Sequence, residues 1–162
     1  MARLNCLKER LVWEQEKLLM FGREVKVPRK VAFVGDKGLC YRYSGKDHDA
    51  QGWPDWLLAT KQEAETLAGQ TFNCVLLNWY QDGYDYMGWH ADSEPALGPA
   101  PVVAMLSLGA QREFLFRLKA NHKKNEFLAL FKNEIHYLNG GIETGFTHVE
   151  INQPKDMEPR LY

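Results

Sequence analysis

The spacing of apolar positions changes along this chain and divides it into elements. Leu4, Leu7 and Leu11 recur at helical spacing, which predicts a short amphipathic helix over residues 4–11. Over residues 17–27 the period falls to two: Val25 and Val27 alternate with charges, Gly22 signals a turn, and Pro28 ends the run. Asp36-Lys37-Gly38 predicts a turn into a strand over residues 39–43, with Tyr41 and Tyr43 on one face. Residues 45–54 read as a polar loop. Helical period returns over residues 56–67, where Trp56, Leu57, Thr60, Ala64 and Leu67 form a stripe that residues 69–71 bring to an end. Residues 72–80 are a β-prone apolar run, and Asp82-Gly83 marks the turn after it. Residues 95–101 hold three prolines and a glycine and read as a loop. Strands are then expected at 102–108, 113–118, 126–131, 134–138 and 148–151. Short strands at even spacing predict an antiparallel sandwich or barrel. The class is α+β, mainly β: a small mixed N-terminal region, then an all-β body.

Composition adds limits. A chain of 162 residues is one domain by length and can bury a real core. Apolar and charged fractions of 45% and 25% are those of a globular protein. No run has the length and apolarity of a membrane span, and the N-terminus lacks a signal-peptide core. Cys6, Cys40 and Cys74 are odd in number and far apart, so buried free thiols in a reducing compartment are expected. A net charge of −1 gives no global attraction to nucleic acid. Two basic clusters stand out, Arg23, Lys26, Arg29 and Lys30, then Arg117, Lys119, His122, Lys123 and Lys124. Such clusters are commonly solvated faces. Aromatic content of 12% suits stacking surfaces and a plain core alike.

The chemistry concentrates around Gly88-Trp89-His90-Ala91-Asp92-Ser93-Glu94. In an extended segment His90 and Asp92 point to one side, because side chains alternate. With one more histidine they would form the facial triad that holds non-haem Fe(II) with open positions. His122, His136 and His148 are the candidates for that third ligand. His122 sits in a lysine-rich turn, His136 suits an ordinary strand position, and His148 follows the glycine-rich stretch Gly140, Gly141 and Gly145. The balance favours His148 modestly. Asn78 and Tyr80 also lie two apart and share a face. An amide and a phenol among apolar neighbours need partners, which a hydrogen-bonded core pair or a small polar acid would supply. Arg160 is a counter-charge for such an acid, or an exposed arginine.

The run from Asn78 through Tyr80, Gly83, Gly88, His90 and Asp92 to Glu94 resembles the AlkB family of Fe(II)- and 2-oxoglutarate-dependent dioxygenases, closest to its nucleic-acid-repair branch. Ser107-Leu-Gly109-Ala-Gln-Arg112-Glu-Phe-Leu-Phe116-Arg117 resembles the next core strands of that family. Phe21-Gly22-Arg23, Val27-Pro28-Arg29 and Tyr41-Arg42-Tyr43-Ser44-Gly45 match upstream. The resemblance implies a double-stranded β-helix, or jelly roll, under an N-terminal helix and hairpin lid. It implies His90, Asp92 and His148 as iron ligands, since Pro159-Arg160 follows His148 at the family's distance. Asn78, Tyr80 and Arg160 would then contact 2-oxoglutarate. Phe21, Gly22 and Arg23 match the hairpin that probes a duplex. Tyr41, Arg42 and Tyr43 match the lid over the base, with Tyr43 and His90 as its sandwich. Ser93 and Glu94 match the acidic pair beside the base, serine replacing the usual acid.

The activity implied is oxidative demethylation of bases such as 1-methyladenine and 3-methylcytosine in DNA or RNA. 2-Oxoglutarate and O2 are consumed, and succinate, CO2 and formaldehyde are released. A base alkylated where it should pair flips at lower cost, and its positive charge favours an aromatic sandwich. One unit, 1–162, is expected, with residues 1–71 as lid and supporting helices and 72–162 as the core. Its last strand is expected to be truncated: the family continues past the proline-arginine pair to a second arginine, and this leaves an unpaired sheet edge. Asn152-Gln153-Pro154-Lys155-Asp156 carries one basic residue where duplex-specific relatives carry a cluster, so single-stranded DNA or RNA is an open substrate. The other readings are a catalytically impaired nucleic-acid-binding module and a dioxygenase acting on protein or a small molecule. A monomer without membrane association is expected, in the cytoplasm of a bacterium or the nucleus of a eukaryote.

Overall fold

The computed structural model describes residues 2–43, 46–90, 102–110, 112–118, 127–131, 134–138, 146–150 and 160–161. The chain opens with helix α1 (Ala2–Arg10), followed by a hairpin of β1 (Lys17–Met20) and β2 (Arg23–Lys26). Strand β3 (Lys30–Gly35) precedes a second hairpin, β4 (Cys40–Tyr43) and β5 (Lys46–Asp49). Helix α2 (Asp55–Ala68) leads into β6 (Cys74–Tyr80) and β7 (Met87–His90). Then come β8 (Val103–Gly109), β9 (Arg112–Leu118), β10 (Phe127–Phe131), β11 (Glu134–Leu138), β12 (Phe146–Glu150) and β13 (Arg160–Leu161).

Two antiparallel sheets form the body. The larger runs β11-β8-β13-β6-β3 and the smaller β10-β9-β12-β7. Strand order departs from chain order in both, as closing two sheets over one core requires. The sequence reading missed β3, because its apolar residues are almost continuous and show no alternation (KVAFVG). A strand covered on both faces loses the period-two signal. Residues 46–49, expected in a loop, are strand β5: their charges face outward while the backbone pairs fully with β4.

β6 explains how the larger sheet is covered. It pairs with β3 from Lys30↔Trp79 to Gly35↔Cys74. Leu77 of β6 faces Ala32 and Val34 of β3, Leu108 of β8, Leu4 and Leu7 of α1, and Leu57 of α2 in one buried cluster. Val75 and Trp79 pack against the same cluster. Trp79 meets Trp13 edge-on, with ring centres 5.4 Å apart. The helices therefore cover one face of the sheet, and Leu76, Asn78 and Tyr80 alternate onto the other. α2 ends at Gly69, whose φ of 65° is left-handed and whose N–H reaches Glu65 O. Its expected stripe holds at Leu57, but Leu67 is half exposed.

β13 lies between β8 and β6, so it is an interior strand. Among the described residues it pairs at Arg160 and Leu161. All three cysteines are free, but Cys40 is exposed, contrary to the expectation of buried thiols. Asp49 accepts its S–H and raises the thiol's pKa, while burial raises that of Cys74. Both effects favour the unreactive protonated form.

Gly35 joins β3 to the turn before β4. A Cβ there would stand 2.9 Å from Asn73 O and from Cys74 Cβ, and 3.2 Å from Leu39 Cδ2. Gly35→Ala is expected to cost roughly 1–3 kcal/mol by forcing β3 from β6. Urea unfolding should show a lower midpoint at unchanged slope.

Candidate functional site

His90 ends β7, and its register partner on β12 is His148. Residues directly opposite on antiparallel strands share a face, with Cβ atoms about 4.5–5.5 Å apart. The pairing shifts by a residue between His148 and Glu150. Sequence had put His148 at the start of a strand; it lies at the centre of β12, paired on its other side with Phe116 of β9. His136, set aside by the resemblance, is an ordinary strand residue opposite Met105. His122 lies outside the described residues, as do Asp92, Ser93 and Glu94.

The His90 ring is already oriented. Its Nδ1–H donates to Gly88 O at 2.9 Å. In the neutral ring this fixes the lone pair on Nε2, as in metal-binding histidines held by an outer hydrogen bond. The donor set therefore fits a divalent ion with nitrogen ligands: an oriented imidazole on β7 and a histidine in register on β12. The loop before β7 is also built locally. Tyr84 N–H reaches Asp82 Oδ1 at 2.7 Å and Gln81 N–H reaches Asp85 Oδ2 at 2.8 Å. Tyr86 N–H ties that loop to Pro28 O at 2.9 Å.

The second constellation lies on the larger sheet. Tyr80 is 0% exposed, and its register partner is Arg160. Asn78 pairs with Val31 on β3, one step further along the same face. Asn78 is also engaged from the side: Arg29 Nε–H donates to its Oδ1 at 2.7 Å. Sequence placed Arg29 in an exposed basic cluster and in a family motif, but its residue is only 7% exposed. A buried charge with a polar neighbour is a tertiary fact, and the one sequence cue was its place after Pro28.

The β4–β5 hairpin lies over that face. Tyr41 stacks on Phe33 of β3, with ring centres 5.9 Å apart and planes 19° apart. His48, the cross-strand partner of Tyr41, meets Phe33 at 5.7 Å. Phe33 shares the side of β3 that carries Val31, hence the side of Asn78 and Tyr80. Two contacts fasten the hairpin to the segment before β1: Lys46 Nζ donates to Glu14, and His48 Nε2 lies 3.5 Å from Glu16 Oε1. Glu16 and His48 escaped the sequence reading. The signal was present as two matched alternations, Glu14-x-Glu16 and Lys46-x-His48. Arg42 faces outward and pairs with Asp47 at 3.5 Å, and Tyr43 closes β4 opposite Lys46.

The β1–β2 hairpin projects elsewhere. Phe21 has φ 51° and Gly22 φ 74°, so both turn residues are left-handed, as a two-residue hairpin of this type requires. A bulky residue rarely adopts that conformation. Phe21 is nevertheless fully exposed, and every residue of β2 is at least partly exposed. Arg23 begins β2 opposite Met20.

Comparison with known proteins decides the family. Residues 1–160 match the model of the 2OG-Fe(II) oxygenase superfamily. The chain belongs to that superfamily. It is 42% identical over 108 residues to the Mus musculus DNA oxidative demethylase ALKBH2, an alignment covering 67% of this chain and 45% of the relative. It is 36% identical over 125 residues to the Rattus norvegicus alpha-ketoglutarate-dependent dioxygenase alkB homolog 3, covering 75% and 41%. These relatives bear out the AlkB resemblance drawn from the motifs. The chain spans less than half the length of either relative. Among solved structures, an oxidoreductase of the 2OG-Fe(II) oxygenase family from Burkholderia pseudomallei superposes with a TM-score of 0.61 at 14% identity, covering 99% of this chain and 75% of that one. The structure of OsALKBH1 gives 0.55 at 16% identity, covering 91% and 77%. Both show the mainly-β oxygenase fold.

The Glu14–Lys46 contact makes the attachment of the β4–β5 hairpin pH-dependent. The Lys46 hydrogen bond lowers the Glu14 carboxyl below its ordinary value, and the same bond raises Lys46. The Glu14 contribution is complete above its unfolded titration and is lost as pH falls through the lower folded value. That of Lys46 is complete below its unfolded value and is lost as pH rises through the higher folded one. Both side chains are over half exposed, so the pair is worth about 0.5 kcal/mol or less. Glu14→Gln should speed amide exchange in β4–β5 by about twofold at neutral pH, leave β6 unchanged, and match the parent protein in strong acid.

Proposed function

We propose that this protein is an Fe(II)- and 2-oxoglutarate-dependent dioxygenase that oxidatively removes alkyl groups from nucleic-acid bases. The observation that carries the reading is the register of His90 with His148, joined to the orientation of the His90 ring by Gly88 O. In this reading His90, Asp92 and His148 hold Fe(II). Asn78, Tyr80 and Arg160 hold 2-oxoglutarate. Once bound, iron, co-substrate and O2 together supply the oxidant for an N-alkyl carbon, with release of succinate, CO2 and formaldehyde.

The chain's own residues do the rest of the work. The amide of Asn78 and the Tyr80 phenol offer hydrogen bonds to a dicarboxylate, and Arg160 offers charge. The full burial of Tyr80 keeps water from competing for its contact. Residues 1–71 act as a nucleotide-recognition lid with its supports, and residues 72–162 as the jelly-roll core. Phe21 is the wedge of the β1–β2 hairpin, with Gly22 and Arg23 beside it. Its left-handed backbone and complete exposure support that role, because strain at an exposed aromatic has no packing reward. Ser93 and Glu94 lie beside the base, Arg42 stands on the outer side of the hairpin next to Asp47, and Tyr41 and Tyr43 roof the base. Tyr41 does so from a fixed position, braced by Phe33. The substrate is alkylated DNA or RNA, and the likeness to DNA oxidative demethylase ALKBH2 supports DNA. The protein acts as a monomer in a reducing intracellular compartment, which its free thiols support.

The test is turnover of an oligonucleotide carrying 1-methyladenine or 3-methylcytosine, with succinate and formaldehyde measured together. Equal yields are expected with Fe(II), 2-oxoglutarate and O2 present. His90→Ala should lower the rate by at least about a hundredfold, since loss of an iron ligand removes the reacting centre. Phe21→Ala should leave stability within about 0.5 kcal/mol, the range of an exposed substitution. The same change should reduce kcat/KM on a duplex about tenfold, a stacking contact of about 1–2 kcal/mol. Oligonucleotide binding without any succinate would turn the reading into a binding module. Succinate formation indifferent to the oligonucleotide would point to another substrate.

A further inference from the structure

An asparagine side chain has an accepting end and a donating end, and a ligand meets whichever end is turned toward it. Arg29 Nε–H donates to Asn78 Oδ1 at 2.7 Å. A guanidinium has donors and no acceptor, so it tolerates only the oxygen of the amide. The two N–H bonds on Nδ2 are thereby turned away from Arg29. Arg29 is held in its own place: its N–H donates to Val27 O at 2.8 Å, and its carbonyl accepts from Gln15 Nε2 at 3.0 Å. The Gln15 amide also donates to Val27 O, so one side chain clamps both carbonyls around Pro28. The backbone beside Asn78 is fixed by the β3–β6 ladder through Val31.

We propose that Arg29 is a positioning residue for co-substrate binding: it locks the Asn78 amide with its N–H donors presented to the oxygen atoms of a dicarboxylate. The inference deepens the proposed function and rests on Asn78 contacting 2-oxoglutarate. Without the lock the amide can turn over and set its oxygen against a carboxylate, which exchanges a charge-assisted hydrogen bond for repulsion. Arg29 acts through Asn78, so its effect disappears when Asn78 has no amide to orient.

The test is a double-mutant cycle read by direct binding. 2-Oxoglutarate is titrated calorimetrically, without O2, into the Fe(II)-loaded parent protein, Arg29→Met, Asn78→Ala and the double variant. Arg29→Met is expected to raise the Kd about tenfold, the size of one hydrogen bond to a charged group. In the Asn78→Ala background the same change is expected to move the Kd less than about twofold, the mark of coupling through that side chain. In turnover the loss should fall on the KM for 2-oxoglutarate, with kcat close to the parent value. An equal loss of affinity in both backgrounds would overturn the proposal, since Arg29 would then act by its own charge or by packing. A parent protein that does not bind 2-oxoglutarate would overturn the proposed function, and this inference with it. Asn78→Asp covers the case in which Arg29 variants do not fold. It keeps an acceptor for Arg29 and has no N–H to offer, so it should bind 2-oxoglutarate more weakly than Asn78→Ala. Parent-like affinity in Asn78→Asp would refute the role of the donors.

Discussion

The two-sided burial of β6 is the constraint on which the rest of the structure depends. Six of its seven residues alternate between a helix-covered face, at Val75, Leu77 and Trp79, and an inner face, at Leu76, Asn78 and Tyr80. The apolar side is the stabilising one, because it joins α1, α2, β3 and β8 in one cluster. The inner side has polar groups that need partners in a water-poor place. Arg29, from the turn that feeds β3, supplies one of them to Asn78. A slip of one residue in the β3–β6 register would exchange the two faces entirely. The helices and the polar site are therefore two consequences of the same register.

The hairpin over the inner face is attached in a different manner. It is held by matched polar and ring contacts: Lys46 to Glu14, His48 to Glu16, and Tyr41 with His48 on Phe33. The His48 and Glu16 side chains are about 10% and 5% exposed, and the Glu16 oxygens have no hydrogen-bond partner among the described residues. Such an arrangement is costly to build and specific in geometry.

Much of this was legible beforehand, for identifiable reasons. The two helices, both hairpin strands of β1–β2 and the strands of the body have the periods or the turn residues that mark them. β3 and β5 do not. β3 is apolar almost throughout, and β5 is polar throughout, so neither alternates in residue type. Each is a strand because of its neighbour, β6 in one case and β4 in the other. The site shows the same division. His90, His148, Asn78, Tyr80 and Arg160 could be named from their spacing and motifs. The roles of Arg29, Glu16 and His48 could not be read there, although a motif or an alternation marks each, because those roles lie in contacts across 49 and 32 residues of chain.

By itself, the sequence determined residue types and local periods: a mainly-β chain, a bulky aromatic before a glycine at a hairpin turn, and a histidine two positions before an aspartate. These are local properties, and side-chain chemistry with backbone sterics settles them within a few residues. Only the tertiary structure decided which groups meet. It set His90 opposite His148, Arg160 opposite Tyr80, and Arg29 against one end of the Asn78 amide. Strand register and burial make those choices, and both are properties of the closed sheets that no single segment carries alone.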